Sequence, residues 1–129
     1  MALVDTDVMV DVLRSYGPAL DWMRSNIGEP LVLPGFVLLE LLEGCRDKHS
    51  QERVLKLTES CQVVWLSEEG FRKAVDLFVA RRLSHGLDMI DVLIAQTALE
   101  LGVPLVGFNQ KHYGCVLGLE VIAPYSRNA

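Results

Sequence analysis

Residues 3–11 of this 129-residue chain, Leu3-Val4-Asp5-Thr6-Asp7-Val8-Met9-Val10-Asp11, are the most informative about its architecture. It begins with a short apolar run, passes through an acidic turn and continues with apolar residues at helical spacing. This order is typical of a buried strand that leads directly into an α-helix. Asp5 then stands at the carboxyl end of a strand, which is where open α/β sheets place their functional crevice.

The same alternation of short apolar runs and helical segments continues along the chain. Further strands are expected at 31–33, 62–66, 103–106 and 119–122. Further helices are expected at about 18–26, 35–45, 50–60, 67–85 and 88–101. Short strands separated by helices favour right-handed crossovers and a parallel sheet. The sequence therefore predicts an α/β protein with one domain over residues 1–129, a central parallel five-stranded sheet and three layers, α/β/α.

Composition indicates a folded protein without a membrane segment. Half of the residues are hydrophobic, which argues against disorder. The longest apolar stretch, 31–39, contains Pro34 and Gly35 and falls short of the about 20 residues that cross a bilayer. The amino terminus lacks the pattern of a secretion signal. The three cysteines are odd in number and widely spaced, which fits neither a disulfide framework nor a zinc site. A cytoplasmic location is expected.

Carboxylates placed beside apolar runs are the strongest functional signal. Asp5 follows the first strand, Glu40 lies among leucines, and Asp88 and Asp91 open an apolar helix. Two like charges about 4 Å apart repel by roughly 4 kcal/mol at an effective dielectric near 20, so converging acids need metal or protons. The pattern indicates a divalent-metal site. The net charge of −5 alone argues against nucleic acid as a partner, but bound cations would cancel the charge of the carboxylates where the substrate lies.

At four places the chain resembles the PIN-domain ribonucleases, above all the small toxins called VapC. Residues 3–11 resemble the opening strand with its first aspartate, Asp5. Glu40-Leu41-Leu42-Glu43-Gly44 resembles the second motif, and residues 86–98 resemble the third, with its acid at Asp91. Val106-Gly107-Phe108-Asn109-Gln110-Lys111-His112-Tyr113 resembles the closing motif. The clearest departure is Gly107, because the family usually carries a threonine there.

The resemblance implies a metal-dependent endoribonuclease that uses Mg²⁺ or Mn²⁺, cuts RNA and is often paired with an antitoxin. Asp5, Glu40 and Asp91 would be the metal ligands, which suits the preference of Mg²⁺ for hard oxygen donors. Asn109 would orient a water or a phosphate. Thr6 would donate a hydrogen bond to a carboxylate or phosphate.

Several residues keep a structural alternative. Asp7 and Asp88 are secondary site candidates or helix caps. Asp11 and Glu43 are expected on exposed helix surfaces. The candidate RNA contacts, which are equally compatible with ordinary helix surface, are Arg46, Arg81, Arg82 and Lys111. Trp22, Trp65 and the stripe from Phe71 to Phe78 belong either to the core or to the face of an expected homodimer.

Two other functions remain open from the sequence. The Asp5-Thr6-Asp7 turn after a strand is also how haloacid-dehalogenase-type phosphatases begin, although that fold is normally longer and leaves Glu40 without a role. A degenerate PIN domain that only binds RNA or a protein is the non-enzymatic alternative. A phosphatase would hydrolyse small phosphomonoesters, a nuclease would cut oligonucleotides, and a binding module would do neither.

Overall fold

The computed structural model describes residues 1–127 and contains a five-stranded parallel sheet. Its strands are β1 (Leu3–Val4), β2 (Val32–Pro34), β3 (Gln62–Val64), β4 (Leu105–Val106) and β5 (Val121–Ile122). They are ordered β3-β2-β1-β4-β5, and every pair is parallel. The predicted α/β class with three layers is confirmed. The expected end of the domain at residue 129 lies outside the described residues.

The described residues also form seven helices. These are α1 (Thr6–Leu13), α2 (Gly17–Ser25), α3 (Gly35–Glu43), α4 (Lys48–Glu59), α5 (Glu68–His85), α6 (Met89–Leu101) and α7 (Gln110–Tyr113). Local chemistry sets the ends of the two longest. Ser67 caps α5 by accepting from the Gly70 amide, and the helix stops at Gly86 with a φ of 68°. Asp88 caps α6 in the same way, and Gly102 ends it in the left-handed conformation.

The register of the central strands brings the first acid to the edge of the sheet. Leu3 pairs with Val32 on one side and with Leu105 on the other, and all three are buried. Burial of each such side chain contributes about 1.5–3 kcal/mol. Val4 pairs with Val106, and the Asp5 amide donates to the Val106 carbonyl at 2.8 Å. The residues that follow β1 and β4 therefore lie side by side.

The structure corrects two expectations about local structure. The short helix α7 was not predicted, because four residues show no helical periodicity. Asp5, rather than Asp7, caps α1, and its Oδ1 accepts from the Thr6 amide. Among residues 1–127, no helix is both long enough and apolar enough to span a membrane.

Of the stripe from Phe71 to Phe78, Phe78 packs against the core, whereas Phe71 and the residues that follow it at four-residue intervals are exposed. This exposed stripe repeats every four residues and thus follows one face of the helix. Its members, called the α5 stripe below, are Phe71, Val75, Val79 and Leu83, with exposed fractions of 43%, 61%, 73% and 97%. Trp65 is also half exposed, at 53%. The alternative of a dimer face stays a prediction.

Candidate active-site cleft

An open cleft of about 420 Å³ lies beyond the carboxyl ends of β1 and β4. The residues that line it are Asp5, Thr6, Asp7, Val10, Asp11, Arg14, Glu40, Asp91, Asn109 and Arg127. The cleft thus brings together the four positions expected to be catalytic, although they come from four separate segments of the chain. Thr6 and Asp7, two of the secondary candidates, line it as well.

Asp5 lies at the floor of the cleft and is buried, with 5% of its surface exposed. The pKa of its carboxyl is raised to about 7, chiefly by burial and next by the negative charge of Asp7. The hydrogen bond from the Thr6 amide, at 2.8 Å, acts in the opposite direction. Asp5 is therefore partly protonated near neutral pH when no cation is bound.

Glu40 reaches the cleft from the middle of α3 and is half-buried. The Thr6 hydroxyl donates a hydrogen bond to Glu40 Oε1, 34 residues along the chain. This contact orients the glutamate toward the segment that carries Asp5. The glutamate among leucines thus faces polar groups rather than the hydrophobic core.

Asp91 stands in the first turn of α6 and contacts two side chains of α7. The Tyr113 hydroxyl makes a long hydrogen bond of 3.5 Å to Asp91 Oδ1, and His112 Nδ1 lies 3.1 Å from Asp91 Oδ2. Burial raises the pKa of Asp91 to about 6, and the charge of Asp88 adds to the increase. Tyr113 also lowers the pKa of Asp5, so one buried hydroxyl serves both acids.

Asn109 begins the short helix α7 at the rim of the cleft. Its Oδ1 accepts from the His112 amide at 3.3 Å, and its Nδ2 lies 3.1 Å from His112 Nδ1. The side chain therefore has a structural role as a helix cap. Its expected role in orienting a water or phosphate stays a prediction.

Gly107 lies against the acids, and this close approach accounts for the absence of a threonine. A Cβ at position 107 would lie 2.9 Å from Asp5 Cβ and 3.1 Å from Asp5 Oδ2. Beside it, Asp7 Oδ2 accepts from the Phe108 amide at 2.9 Å, while Asp7 Oδ1 accepts from the Val8 amide. Asp7 thus holds the 107–108 turn against α1. Burial raises the pKa of Asp7.

Several residues singled out from the sequence do not reach the cleft. Asp88 caps α6 by accepting from the Asp91 amide at 3.0 Å. Arg81 Nε donates to the Cys115 carbonyl at 2.8 Å. The remaining candidate RNA contacts, which also lie outside the lining of the cleft, are Arg46, Arg82 and Lys111. Glu43 is exposed, as expected.

Two arginines that sequence reasoning missed line the cleft instead: Arg14 and Arg127. Arg127 Nε donates to Asp11 Oδ2 at 3.0 Å, and Tyr125 Oη donates to the same oxygen at 2.8 Å. The Asp11 side chain is consequently only 15% exposed, and the expectation that it lies on an open helix surface is wrong. No local pattern signals a contact between residues 116 positions apart.

The donor set of the cleft fits a hydrated divalent ion. In the part of the chain that the structure describes, no Lys or Arg pairs with Asp5, Glu40 or Asp91. Within the same range, no three His, Cys, Asp or Glu side chains form a preassembled ligand cluster. Mg²⁺ commonly uses only one or two carboxylates and keeps several waters, so a closed cluster is not required.

Residues 2–113 match the family model of the PIN domain. The chain belongs to the PIN-domain family. Ribonuclease VapC19 of Mycobacterium tuberculosis is 35% identical to this PIN domain over 118 residues, which covers 88% of this chain and 92% of that protein. The resemblance found in the four motifs is confirmed. Membership of this family excludes the haloacid-dehalogenase-type fold.

Two solved structures share the fold of this PIN domain. The toxin-antitoxin complex from Klebsiella pneumoniae matches with a TM-score of 0.77 at 21% identity, covering 98% of this chain and 100% of that chain. VapBC-1 from nontypeable Haemophilus influenzae matches with a TM-score of 0.78 at 19% identity, covering 95% and 97%. At these identities the likeness shows the fold alone.

Proposed function

We propose that this PIN domain is a divalent-metal-dependent endoribonuclease and the toxin of a type II toxin-antitoxin pair. The observation that carries the proposal is a single cleft that Asp5, Glu40 and Asp91 all line without a Lys or Arg partner among the described residues. The relative named Ribonuclease VapC19 supports the same activity. No observation favours the degenerate binding module, because the Gly107 departure is accounted for by the backbone approaching Asp5.

Three acidic side chains supply oxygen donors to the same cleft. We assign Asp5, Glu40 and Asp91 as ligands of Mg²⁺ or Mn²⁺ or of the ion's waters. When bound, such an ion provides the positive charge and Lewis acidity that attack on a phosphodiester requires. The Thr6 hydroxyl orients the Glu40 carboxylate, the Tyr113 hydroxyl interacts with both Asp5 and Asp91, and Asn109 lines the same cleft.

Incubation of the purified protein with structured RNA tests the activity. With Mg²⁺ or Mn²⁺ we expect cleavage that leaves 5′-phosphate ends and stops when EDTA is added. Asp5→Asn and Asp91→Asn should each abolish cleavage, because each removes a negative oxygen from the cleft. Asp21→Asn is the matched control, since Asp21 lies on α2 with 77% of its side chain exposed. Full cleavage by both site variants would refute the site assignment.

We further propose an antitoxin as the protein partner. The solved structure from Klebsiella pneumoniae, which matches this chain over 98% of its length, is a toxin-antitoxin complex. Co-expression with the adjacent reading frame tests the assignment. We expect the two products to purify together and the RNA cleavage to be inhibited; separate purification with full activity would contradict it.

A homodimer through the α5 stripe is the remaining assembly proposal. Leu83 alone is 97% exposed, and soluble proteins rarely leave a continuous apolar stripe in water without a partner. Val79→Glu should convert a dimer to a monomer in light scattering after gel filtration. Ile27→Glu replaces an apolar residue that is 83% exposed outside the stripe, and it should leave the mass unchanged. A wild-type monomer at high concentration would contradict the proposal.

We place the protein in the cytoplasm on the chemistry of its thiols. Cys45, Cys61 and Cys115 are all free. Free thiols suit a reducing compartment, where disulfides are rare. Fractionation of cells that express the protein would test this location.

A further inference from the structure

The carboxyl-terminal segment brings a guanidinium group to the mouth of the acidic cleft. Residue 127 lies beyond the family match, which ends at residue 113. Arg127 Nε donates to Asp11 Oδ2 at 3.0 Å, and Arg127 Nη2 donates to the Asp7 carbonyl at 3.2 Å. The guanidinium also stacks on Phe108, with Cζ 4.1 Å from the ring centroid. Three separate contacts therefore fix its position.

A second group of contacts fixes the residues that hold the guanidinium. Tyr125 donates to Asp11 Oδ2 at 2.8 Å, and its ring packs against Phe108 with centroids 5.0 Å apart. Asp11 therefore accepts two hydrogen bonds on one oxygen, and the segment 125–127 is tied to α1. Such an arrangement positions an arginine before any ligand arrives, which reduces the entropy lost on binding.

The held guanidinium keeps unused hydrogen-bonding capacity. An arginine side chain has five N–H donors, and two of them, one on Nε and one on Nη2, form hydrogen bonds here. No residue in the described range accepts from the other three, and 41% of the side chain is exposed. Arg127 lines the same cleft as Asp5, Glu40 and Asp91. A planar, partly free guanidinium of this kind suits a phosphate oxygen.

The charge of the cleft creates a need for such a group. Five acids line it and only two arginines do. A bound divalent ion would offset part of this charge at one phosphate, whereas the neighbouring phosphates of an RNA strand would still face carboxylates. The second arginine, Arg14, is exposed, and its side chain makes no hydrogen bond or ion pair within residues 1–127, so no such contact fixes its guanidinium group.

We propose that Arg127 binds a backbone phosphate of the RNA next to the scissile bond, and that Asp11 and Tyr125 are its positioning residues. This inference rests on the proposed ribonuclease function. It assigns to the carboxyl-terminal segment a substrate-binding role that the four family motifs do not contain. It also supplies the basic surface that Arg46, Arg81, Arg82 and Lys111 do not provide at the cleft.

Steady-state cleavage of a single-stranded RNA oligonucleotide over a range of KCl concentrations tests the proposal. Arg127→Gln should raise KM about tenfold, which corresponds to one lost charged contact. It should change kcat by less than about threefold, and the slope of log(1/KM) against log[KCl] should become shallower by about 0.7. Arg72→Gln makes the same change of charge on the exposed surface of α5, outside the cleft, and should leave all three values unchanged.

Two further variants separate contact from positioning. Arg127→Lys keeps the charge, so the salt slope should persist while KM rises about threefold through loss of the planar fork. Tyr125→Phe removes the hydrogen bond to Asp11 but leaves Arg127, so KM should rise with an unchanged salt slope. Circular dichroism establishes whether each variant is folded. If Arg127→Gln does not fold, the KM values and salt slopes of Arg127→Lys and Tyr125→Phe test the role of Arg127.

The outcomes distinguish this inference from the function on which it rests. A wild type that cleaves RNA, together with variants whose KM and salt slope are unchanged, would overturn the role of Arg127 alone. Faster cleavage or a lower KM in Arg127→Gln would also overturn it, because the arginine would then compete with the cation. A wild type that neither binds nor cleaves RNA would overturn the proposed function and this inference together.

Discussion

Replacing Asp5 with asparagine should stabilise the metal-free protein, and the effect should depend on pH. The pKa of Asp5 is about 7 in the folded protein and 3.8 in an ordinary environment. Between these values the folded protein retains a proton that the unfolded chain has released. Wild-type stability therefore falls as pH rises through this window. Asparagine carries no charge at any of these pH values and still offers an oxygen to the Thr6 amide. The stability of the Asp5→Asn protein therefore lacks the pH dependence that Asp5 causes in the wild type.

The size of the effect follows from the interval between the two pKa values. At about 1.4 kcal/mol for each pH unit, the interval of about three units corresponds to an upper limit of about 4 kcal/mol. Because water enters the open cleft and screens the charge, we expect about half of this limit, roughly 2 kcal/mol. For a protein of this size, such a change raises Tm by roughly 5–8 °C.

Denaturant unfolding in EDTA at a series of pH values measures the effect. The stability of Asp5→Asn relative to the wild type should increase by about 2 kcal/mol between about pH 4 and pH 8, with most of the change below pH 7. Asp21→Asn, at a carboxylate that is 77% exposed on α2, is the control for the loss of one acidic side chain. A difference between Asp5→Asn and the wild type that stays constant over the whole range would refute a raised pKa at Asp5 and the repulsion on which the metal site depends.

Three further expectations concern the same cleft. Gly107→Ala should lower the free energy of unfolding by about 1–3 kcal/mol, measured by thermal unfolding, because the added Cβ would lie 2.9 Å from Asp5 Cβ. The same variant should bind Mg²⁺ more weakly in calorimetry. Gly17→Ala is the control and should be neutral or stabilising, since a Cβ at position 17 has no heavy atom within 4 Å. At limiting Mg²⁺, RNA cleavage should increase as pH rises through about 6 to 7, because Asp91 and Asp5 lose their protons in this range. The midpoint of this increase should move to lower pH when more Mg²⁺ is added, since metal and protons compete for the same carboxylates. A midpoint that does not move would contradict this competition. Tyr113→Phe should raise the pKa of both acids, measured by NMR titration of the carboxyl carbons, because the hydroxyl lowers both; unchanged values would show that this bond is not formed.

Features encoded within a few residues were predictable from the sequence. The strand that precedes Asp5, the cap at Asp88 and the stop at Gly102 all depend on neighbouring residues, and the structure has each of them. The parallel order of the strands followed from their alternation with helices. The meeting of Asp5 with Asn109 followed from their places after two strands, because parallel strands end at one edge of the sheet.

Features that depend on contacts between distant segments could not be predicted. The Arg127 contact joins residues 116 positions apart, and no local pattern marks it. The α5 stripe has the same periodicity whether it faces a core or a partner, so only the folded structure shows that it is exposed. Asp11 differed from expectation for the first of these reasons, since Tyr125 and Arg127, which cover it, are more than 110 positions away in the sequence. The reason for Gly107 also required coordinates, because only they show the backbone touching Asp5.

The hydroxyl of Tyr113 connects the chemistry of the cleft to the interior of the protein. Its ring is 1% exposed and belongs to the hydrophobic core, so it has no freedom to swing outward. The position of the hydroxyl relative to Asp5 and Asp91 therefore depends on how tightly the surrounding aliphatic side chains pack. Mutations deep in the interior that move this one ring should therefore shift the pKa of both acids, although the mutated residues do not line the cleft.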